Sequence, residues 1–425
     1  MADMLGIPRS LIWGFVGLLL FMVGDGVEAG YLSPFLQERG VSVGHIGLLF
    51  TIYGISVSIS SWLSGALSDL WGPKRVMWCG LFIWIVFEVL FLVFGVQAGN
   101  YPIMLVTYAL RGIGYPLFAF GFLVWIAAAT PAAQLGSAAG WFWFAFAGGL
   151  PTLGSLFASF AIPAIGQIAT FWSSLGLVTA GGLVTLLLTH EKTGSARLAA
   201  PGIHPVKVVL GSISIMWQEP KTSIAGIVRA INTSSEYAFL VMMPAFFIKE
   251  VGFSLEQWLR LLSIIFLSNI VFNLLSGMFA DKLGYRLIVG VFGGIGSAIS
   301  VPLFYYMPLA FHHNFLIASI FGIFYGATLA CFVPMSGLMP QICPRSKGAA
   351  LSILGLGAGI SVWLGPLIVT LFQSSLGIGG VIWIFSGLYL VSAVLTTFLT
   401  ISPEAQAYSE SPEALEAGGA VGLAH

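Results

Sequence analysis

Six ionisable side chains sit inside long apolar runs: Asp25, Glu28, Glu88, Arg111, Arg229 and Glu236. A charge in such a run is costly, and it is kept where it handles protons, ions or polar ligands. An acid beside a guanidinium is a proton switch. Desolvation favours the neutral carboxyl, a nearby guanidinium favours the carboxylate, and moving one against the other trades a proton. Asp25 and Glu28 are three residues apart, on one helix face. Arg229, Asn232 and Glu236 recur at i, i+3 and i+7 and also share a face.

The elements that position these groups follow from composition. The chain has 425 residues, is 58% hydrophobic and only 8% charged, with a mean hydropathy of +0.98. A soluble protein carries about 25% charged residues, so 16 basic and 16 acidic groups cannot cover this surface. The outer solvent is lipid and the chain is an all-α polytopic membrane protein. A net charge of zero argues against a nucleic-acid partner. Cys79, Cys331 and Cys343 imply neither a disulfide framework nor a metal cluster, and no cofactor is expected. The apolar run from Leu11 carries acids and reads as a first span rather than a cleaved leader.

A span needs about 20 mostly apolar residues. Twelve are expected: 11–36, 44–69, 76–96, 102–129, 135–160 and 167–189, then 223–248, 257–280, 287–307, 314–339, 348–373 and 379–400. The expected domains are a six-helix bundle over 1–190, a polar cytoplasmic linker over 191–221, a second bundle over 222–401 and a disordered tail over 402–425. With the N-terminus inside, eleven Lys and Arg fall in inner segments and three in outer ones. The positive-inside rule then puts both termini in the cytoplasm.

Depth pairs two of the six charges. Asp25 lies about 21 Å from the inner face at 1.5 Å per residue, and Arg111, on an antiparallel span, about 16 Å from the same face. The expectation is an Asp25–Arg111 pair. Its plainer alternative is a static ion pair pinning two helices. Glu236 sits at about the depth of Asp25. Arg229 has the alternative of snorkelling to the surface, and Glu88, on an outer span, that of a protonated, merely hydrogen-bonded acid.

An internal repeat is visible. Gly65-Ala-Leu-Ser-Asp69-Leu-Trp-Gly72-Pro-Lys74-Arg75 follows the second span, and Gly277-Met-Phe-Ala-Asp281-Lys-Leu-Gly284-Tyr-Arg286 follows the eighth, 212 residues later. Two parallel six-span halves mark one transporter architecture. The first copy resembles the loop motif of the major facilitator superfamily at every defined position; the second keeps Gly277, Asp281, Gly284 and Arg286. The resemblance implies two pseudo-symmetric six-helix bundles around a cavity lined by spans 1, 4, 7 and 10, with 3, 6, 9 and 12 outermost. It also implies that these loops gate: Asp69 facing the start of span 11, Asp281 the start of span 5, each acid at the positive end of a helix dipole.

Four shorter strings, Gly24-Asp-Gly-Val-Glu28, Arg111-Gly-Ile-Gly-Tyr-Pro-Leu-Phe118, Gly140-Trp-Phe-Trp143 and Arg229-Ala-Ile-Asn-Thr233, resemble the bacterial polyol permease branch, which contains ribitol and D-arabinitol proton symporters. That resemblance implies proton coupling at Asp25, Glu28 and Arg111. It also implies import of a small neutral polyhydroxylated solute across the bacterial inner membrane, by a protein expected to be monomeric. Candidate substrate contacts are Glu28, Tyr115, Trp141, Trp143, Arg229, Asn232, Glu236, Asn269, Asn273, Tyr325 and Trp363. Amides and carboxylates match hydroxyls, and aromatic faces match C–H surface. Packing aromatics and interhelical glue at Asn269 and Asn273 are the plainer alternatives. A proton-coupled antiporter exporting an apolar or cationic compound is the second reading. An enzyme is not expected: no HExxH, CxxC or GxSxG string falls in any span.

Overall fold

The computed structural model describes residues 9–130, 132–198, 215–343 and 347–405. All regular structure among them is helical. In chain order the first half contains α1 (Ile12–Gly26), α2 (Leu32–Glu38), α3 (Val43–Trp71), α4 (Pro73–Leu90), α5 (Tyr101–Arg111), α6 (Gly114–Ala129), α7 (Ala132–Ala147), α8 (Gly154–Ile165) and α9 (Gln167–Leu188). The second contains α10 (Pro220–Ala245), α11 (Leu255–Leu283), α12 (Gly296–Ala310), α13 (Phe315–Ala330), α14 (Met335–Ile342) and α15 (Lys347–Thr397). Ten helical stretches among the described residues are long and apolar enough to span a membrane. One of these, Ile353–Thr397, is two spans joined at Gly377, whose φ of 69° breaks the helix. The polar face of α10 keeps it below that apolar standard, yet it crosses with the rest. Together they make the expected twelve, in two six-helix bundles.

Proline decides where the spans break. It lacks an N–H and its ring crowds the carbonyl four residues back. Pro34 disrupts the helix at Gly30, and the first span, expected unbroken over 11–36, parts into α1 and α2 around residues 27–31. Pro116 does the same at Gly112, separating α5 from α6. Pro334 acts on Ala330, where α13 ends, so the tenth span is also interrupted. Pro151 lies in the π-helical turn Gly148–Leu153 that joins α7 to α8. The Gly30 carbonyl, freed by Pro34, accepts from Trp258 Nε1 at 2.8 Å, and at the second gap the Ile113 carbonyl accepts from Ser60 at 2.7 Å.

Glycines let spans touch backbone to backbone. A methyl at Gly26 would overlap the Leu150 carbonyl, and one at Gly365 the Ser234 carbonyl. Between the halves, α3 packs on α15 and α11 on α8. On the side away from the termini this seam is sealed. Ser33 donates to the Val241 carbonyl at 2.5 Å, Trp258 to Gly30, and Ser263 to the Thr152 carbonyl at 3.0 Å. Ser58 donates to the Gly359 carbonyl at 2.5 Å about halfway across. Toward the termini, Gly65, Gly277 and Gly355 face open space, and Trp62, Leu63 and Leu351 are exposed. Among the described residues, these bonds across the seam lie on the side away from the termini and about halfway across.

Candidate functional site

Three carboxylates converge on one guanidinium. Arg111, the last residue of α5, is ion-paired with Glu28 Oε1 and with Glu88 Oε2, the latter at 2.6 Å. Asp25 Oδ1 lies 4.0 Å from Arg111 Nη2 and accepts from Trp84 Nε1 at 2.6 Å. All four groups are at least 96% buried. The guanidinium also faces the rings of Tyr108, Trp84 and Tyr53 at 4.6, 5.1 and 5.6 Å, a favourable cation–π setting. Glu28 Oε2, Glu88 Oε1 and Arg111 Nε have no hydrogen-bond partner. Buried polar atoms left so are uncommon.

The broken helices build this arrangement. Glu28 sits in the gap between α1 and α2, and its own carbonyl accepts from Tyr31 N and Leu32 N. Arg111 sits at the α5–α6 gap, where the cation meets the negative end of the α5 dipole. Gly80 and Gly114 bring α4 against α6 without side chains between them, which places Trp84 and Glu88 beside Arg111.

Asp25, Glu28, Tyr115 and Arg111 line a cavity completed by Ala29, Phe50, Tyr53, Tyr108, Leu150, Tyr237, Leu240 and Val362. It holds about 50 Å³, room for a water or two at about 30 Å³ each. Glu88 does not line it and has no exposed surface.

The depth-based pairing of Asp25 with Arg111 is present but is the longest of three. The two sit at the limit of an ion pair, and the tight partners are Glu28 and Glu88. Depth along a helix fixes height but not rotation, and rotation brings Glu88 inward from the third span. Tyr53, Trp84 and Tyr108, absent from the expected set, complete the cluster. The signal for Glu88 was its charge at mid-membrane, which demands a partner.

In the second half the expected residues serve one another. Arg229 donates to Asn232 Oδ1, and Asn232 Nδ2 to the Leu329 carbonyl at 3.2 Å. Tyr325 and Tyr389 meet the Ser235 hydroxyl at 2.7 and 2.6 Å. Glu236 lies within electrostatic reach of Arg229 and next to the cavity residue Tyr237. Asn273 donates to Asn269 within α11 at 3.2 Å, and Asn269 to the Gly326 carbonyl of α13 at 3.1 Å, a bond between two helices. Trp141 is part-buried in the first-half core. Trp143 is half-exposed among Phe120, Phe142 and Phe146. Trp363 follows Val362, whose backbone Gly54 approaches closely. None of these lines the small cavity.

At the expected gates, Gly72 and Gly284 take φ of 86° and 93°, open to glycine and strained for other residues. Lys74 donates to the Thr189 carbonyl at 3.3 Å and Arg286 to the Thr397 carbonyl at 2.5 Å; Arg75 is exposed. Asp69 is part-buried, which pushes its carboxyl above the ordinary range, and its carbonyl accepts from Leu198 N at 3.0 Å. The Asp281 side chain, residue 131 at the start of span 5 and residues 344–346 before span 11 lie outside the described residues, as do 199–214 of the linker and 406–425 of the tail. Glu191 opens the linker. Partial burial pushes its carboxyl up, but bonds from Thr193 and from Trp125 at 2.7 Å outweigh this and hold it below the ordinary range.

The profile of the Major Facilitator Superfamily matches residues 14–259 and 222–422. The alpha-ketoglutarate permease of Bacillus subtilis is 44% identical over 94% of this chain and 91% of its own length. The D-arabinitol transporter of Klebsiella pneumoniae is 35% identical over 96% of both chains, and the ribitol transporter of that organism 35% over 93% of both. Among solved structures, the nucleoside transporter NupG superposes with a TM-score of 0.72 at 15% identity, covering 92% of this chain and 100% of its own. The inward-open xylose transporter XylE of E. coli does so at 0.69 and 18%, covering 96% and 98%. Twelve spans in two halves, a buried charge cluster in the first of them and a family match through both lead to one conclusion: the chain belongs to the Major Facilitator Superfamily and is a multi-pass secondary transporter, not an enzyme.

Proposed function

We propose that the protein imports a pentitol, ribitol or D-arabinitol, together with protons across the bacterial inner membrane, as a monomer with both termini cytoplasmic. The observation that carries this reading is the excess of acid at the cavity. Asp25, Glu28 and Glu88 share a single guanidinium in a buried site. If all three were ionised, the site would hold two uncompensated negative charges, each costing several kcal/mol to bury. Protons relieve that charge, and a neutral polyol adds none. Asp25 and Glu28 offer acceptors to hydroxyls; Tyr53, Tyr108, Tyr115 and Tyr237 offer both donors and ring faces. The side of the termini is then the cytoplasmic one. The bundles over 1–190 and 222–401 rock about the site, with linker 191–221 between them. Gly65, Asp69, Gly72, Lys74 and Arg75, and Gly277, Asp281, Gly284 and Arg286, gate the inner side.

The identity to a permease named for alpha-ketoglutarate favours a second reading, a dicarboxylate substrate. A dianion needs cations facing it, and the lining supplies Arg111 alone, already engaged by two acids. Charge balance therefore favours the polyol. Purified protein in liposomes, given labelled ribitol, D-arabinitol, xylitol or 2-oxoglutarate with and without an inward pH gradient, tests the assignment. Pentitol uptake driven by the gradient is the expected result. Uptake of 2-oxoglutarate alone would replace the substrate. Efflux driven by the inward gradient would replace symport with the antiport alternative.

A further inference from the structure

The four buried charges do not play equal parts. Asp25 and Glu28 line the cavity; Glu88 sits behind Arg111, fully buried and absent from that lining. Arg111 therefore has one acid that solvent and substrate do not reach and two that they do. Every charged or titratable group facing the cluster can be named. Among the described residues Arg111 is the one cation acting on the three acids, and Tyr31, Tyr53, Tyr108 and Tyr115 are the neighbouring hydroxyls. One guanidinium neutralises one carboxylate. When the cavity closes on a solute and is dry, the other two acids must be neutral, because an unpaired buried charge is too costly; when it closes empty, water fills the space the solute leaves and Asp25 and Glu28 return ionised, so the two protons stay inside. When the cavity opens, water reaches Asp25 and Glu28 and lets them ionise. One free position already exists for a proton: Glu28 Oε2 has no hydrogen-bond partner, while Asp25 accepts from Trp84 through Oδ1 and lines the cavity.

We propose that Glu88 is the fixed counter-ion of Arg111, and that Asp25 and Glu28 each carry one proton inward with every solute molecule, so that transport is two-proton symport. This rests on the proton-symport reading above. The stoichiometry follows from the charge count, and the asymmetry between Glu88 and the other acids from their access to the cavity. With Glu88 neutralised, Arg111 needs a new counter-ion and recruits Glu28, its other close partner; Glu28 then stays ionised and one proton is lost from the cycle.

The test is the opposing solute gradient at which net flux vanishes in proteoliposomes, with the membrane potential clamped at zero and a one-unit pH difference imposed. That pH difference is tenfold in proton activity, so two protons balance about a hundredfold gradient of labelled ribitol or D-arabinitol and one proton about tenfold. Wild type is expected to balance near a hundredfold. Glu88→Gln, Glu28→Gln and Asp25→Asn are each expected near tenfold, and Glu88→Asp, which keeps the charge, near a hundredfold. A wild-type balance at tenfold overturns two-proton symport. A Glu88→Gln balance still at a hundredfold overturns the counter-ion role. Should Glu88→Gln fail to fold, Glu28→Gln, Asp25→Asn and Glu88→Asp still decide the matter. A wild-type balance independent of the pH difference removes the symport reading itself, which is a different outcome from either.

Discussion

The two halves of the molecule put different chemistry at matching positions. Ser42 and Ser254 cap α3 and α11, 212 residues apart, and Asn100 and Asn314 cap α5 and α13, 214 apart. In that register Tyr237 and Leu240 answer Asp25 and Glu28, and all four line the cavity. Ser300 answers Glu88, and Tyr325 answers Arg111. The first half thus holds an ion cluster where the second holds hydroxyls. Tyr325 and Tyr389 meet on Ser235, Tyr389 also donates to the Asn232 carbonyl at 2.6 Å, and Ser300 meets Thr328 at 2.8 Å. A neutral network has nothing to gain from a proton; an acid cluster with one cation does. On the proposed reading the protons are handled in the first half, while the second keeps its own charges, Arg229 and Glu236, together and presents Tyr237 and Leu240 to the cavity.

The largest effect is expected at the matched pair Arg111 and Tyr325. Arg111→Ala strands three buried acids, and breaking a buried ion pair costs about 3–5 kcal/mol. Gradient-driven uptake is lost with it, and Arg111→Lys restores little because the planar fork is gone. Tyr325→Phe removes one hydroxyl bond, worth about 1 kcal/mol, and keeps coupling. Thermal unfolding in detergent and uptake in liposomes measure both. Equal losses of coupling at the two positions would break the comparison.

A smaller effect separates the closed seams from the open ones. Gly26→Ala and Gly365→Ala force a methyl onto a facing carbonyl, an overpacking cost of about 1–3 kcal/mol. Gly65→Ala and Gly277→Ala meet open space and gain up to about 1 kcal/mol of helix propensity. These two variants should fold at least as well as wild type yet transport slowly, because the inner side must close over them. Full transport by both would remove the gating role.

The smallest effect lies at the start of the linker. Glu191→Gln should cost about 1 kcal/mol through its weakened bonds to Trp125 and Thr193. The folded protein holds this carboxyl below its ordinary range, so the contribution is complete above the unfolded value and fades as pH falls through the lower, folded one. Melting temperatures of wild type and variant should differ near neutrality and converge in acid. A constant difference would mean that the bonds do not depend on the charge.

Much of this was legible beforehand. The duplicated Gly-Asp-Gly loop announced two halves, because only glycine takes the φ found at Gly72 and Gly284 without strain. Charges in apolar runs announced the cluster. What hid was rotation and rupture. Glu88 could not be turned toward Arg111 from its depth alone, and the gaps at Gly30 and Gly112 were written only as prolines four residues on. The second-half polar face at Arg229, Asn232 and Glu236 has the periodicity of a cavity face, yet Asn232 is spent on Arg229 and a carbonyl. Periodicity shows which residues share a face, not what that face meets.

The central claim is that acids of the first half carry protons inward with a neutral solute. Its most direct measurement is external pH when ribitol or D-arabinitol is added to lightly buffered, de-energised proteoliposomes. The account predicts solute-dependent alkalinisation by wild type and by Tyr325→Phe, and none by the double variant Asp25→Asn, Glu28→Gln. Alkalinisation that survives the double variant, or acidification by wild type, would contradict it.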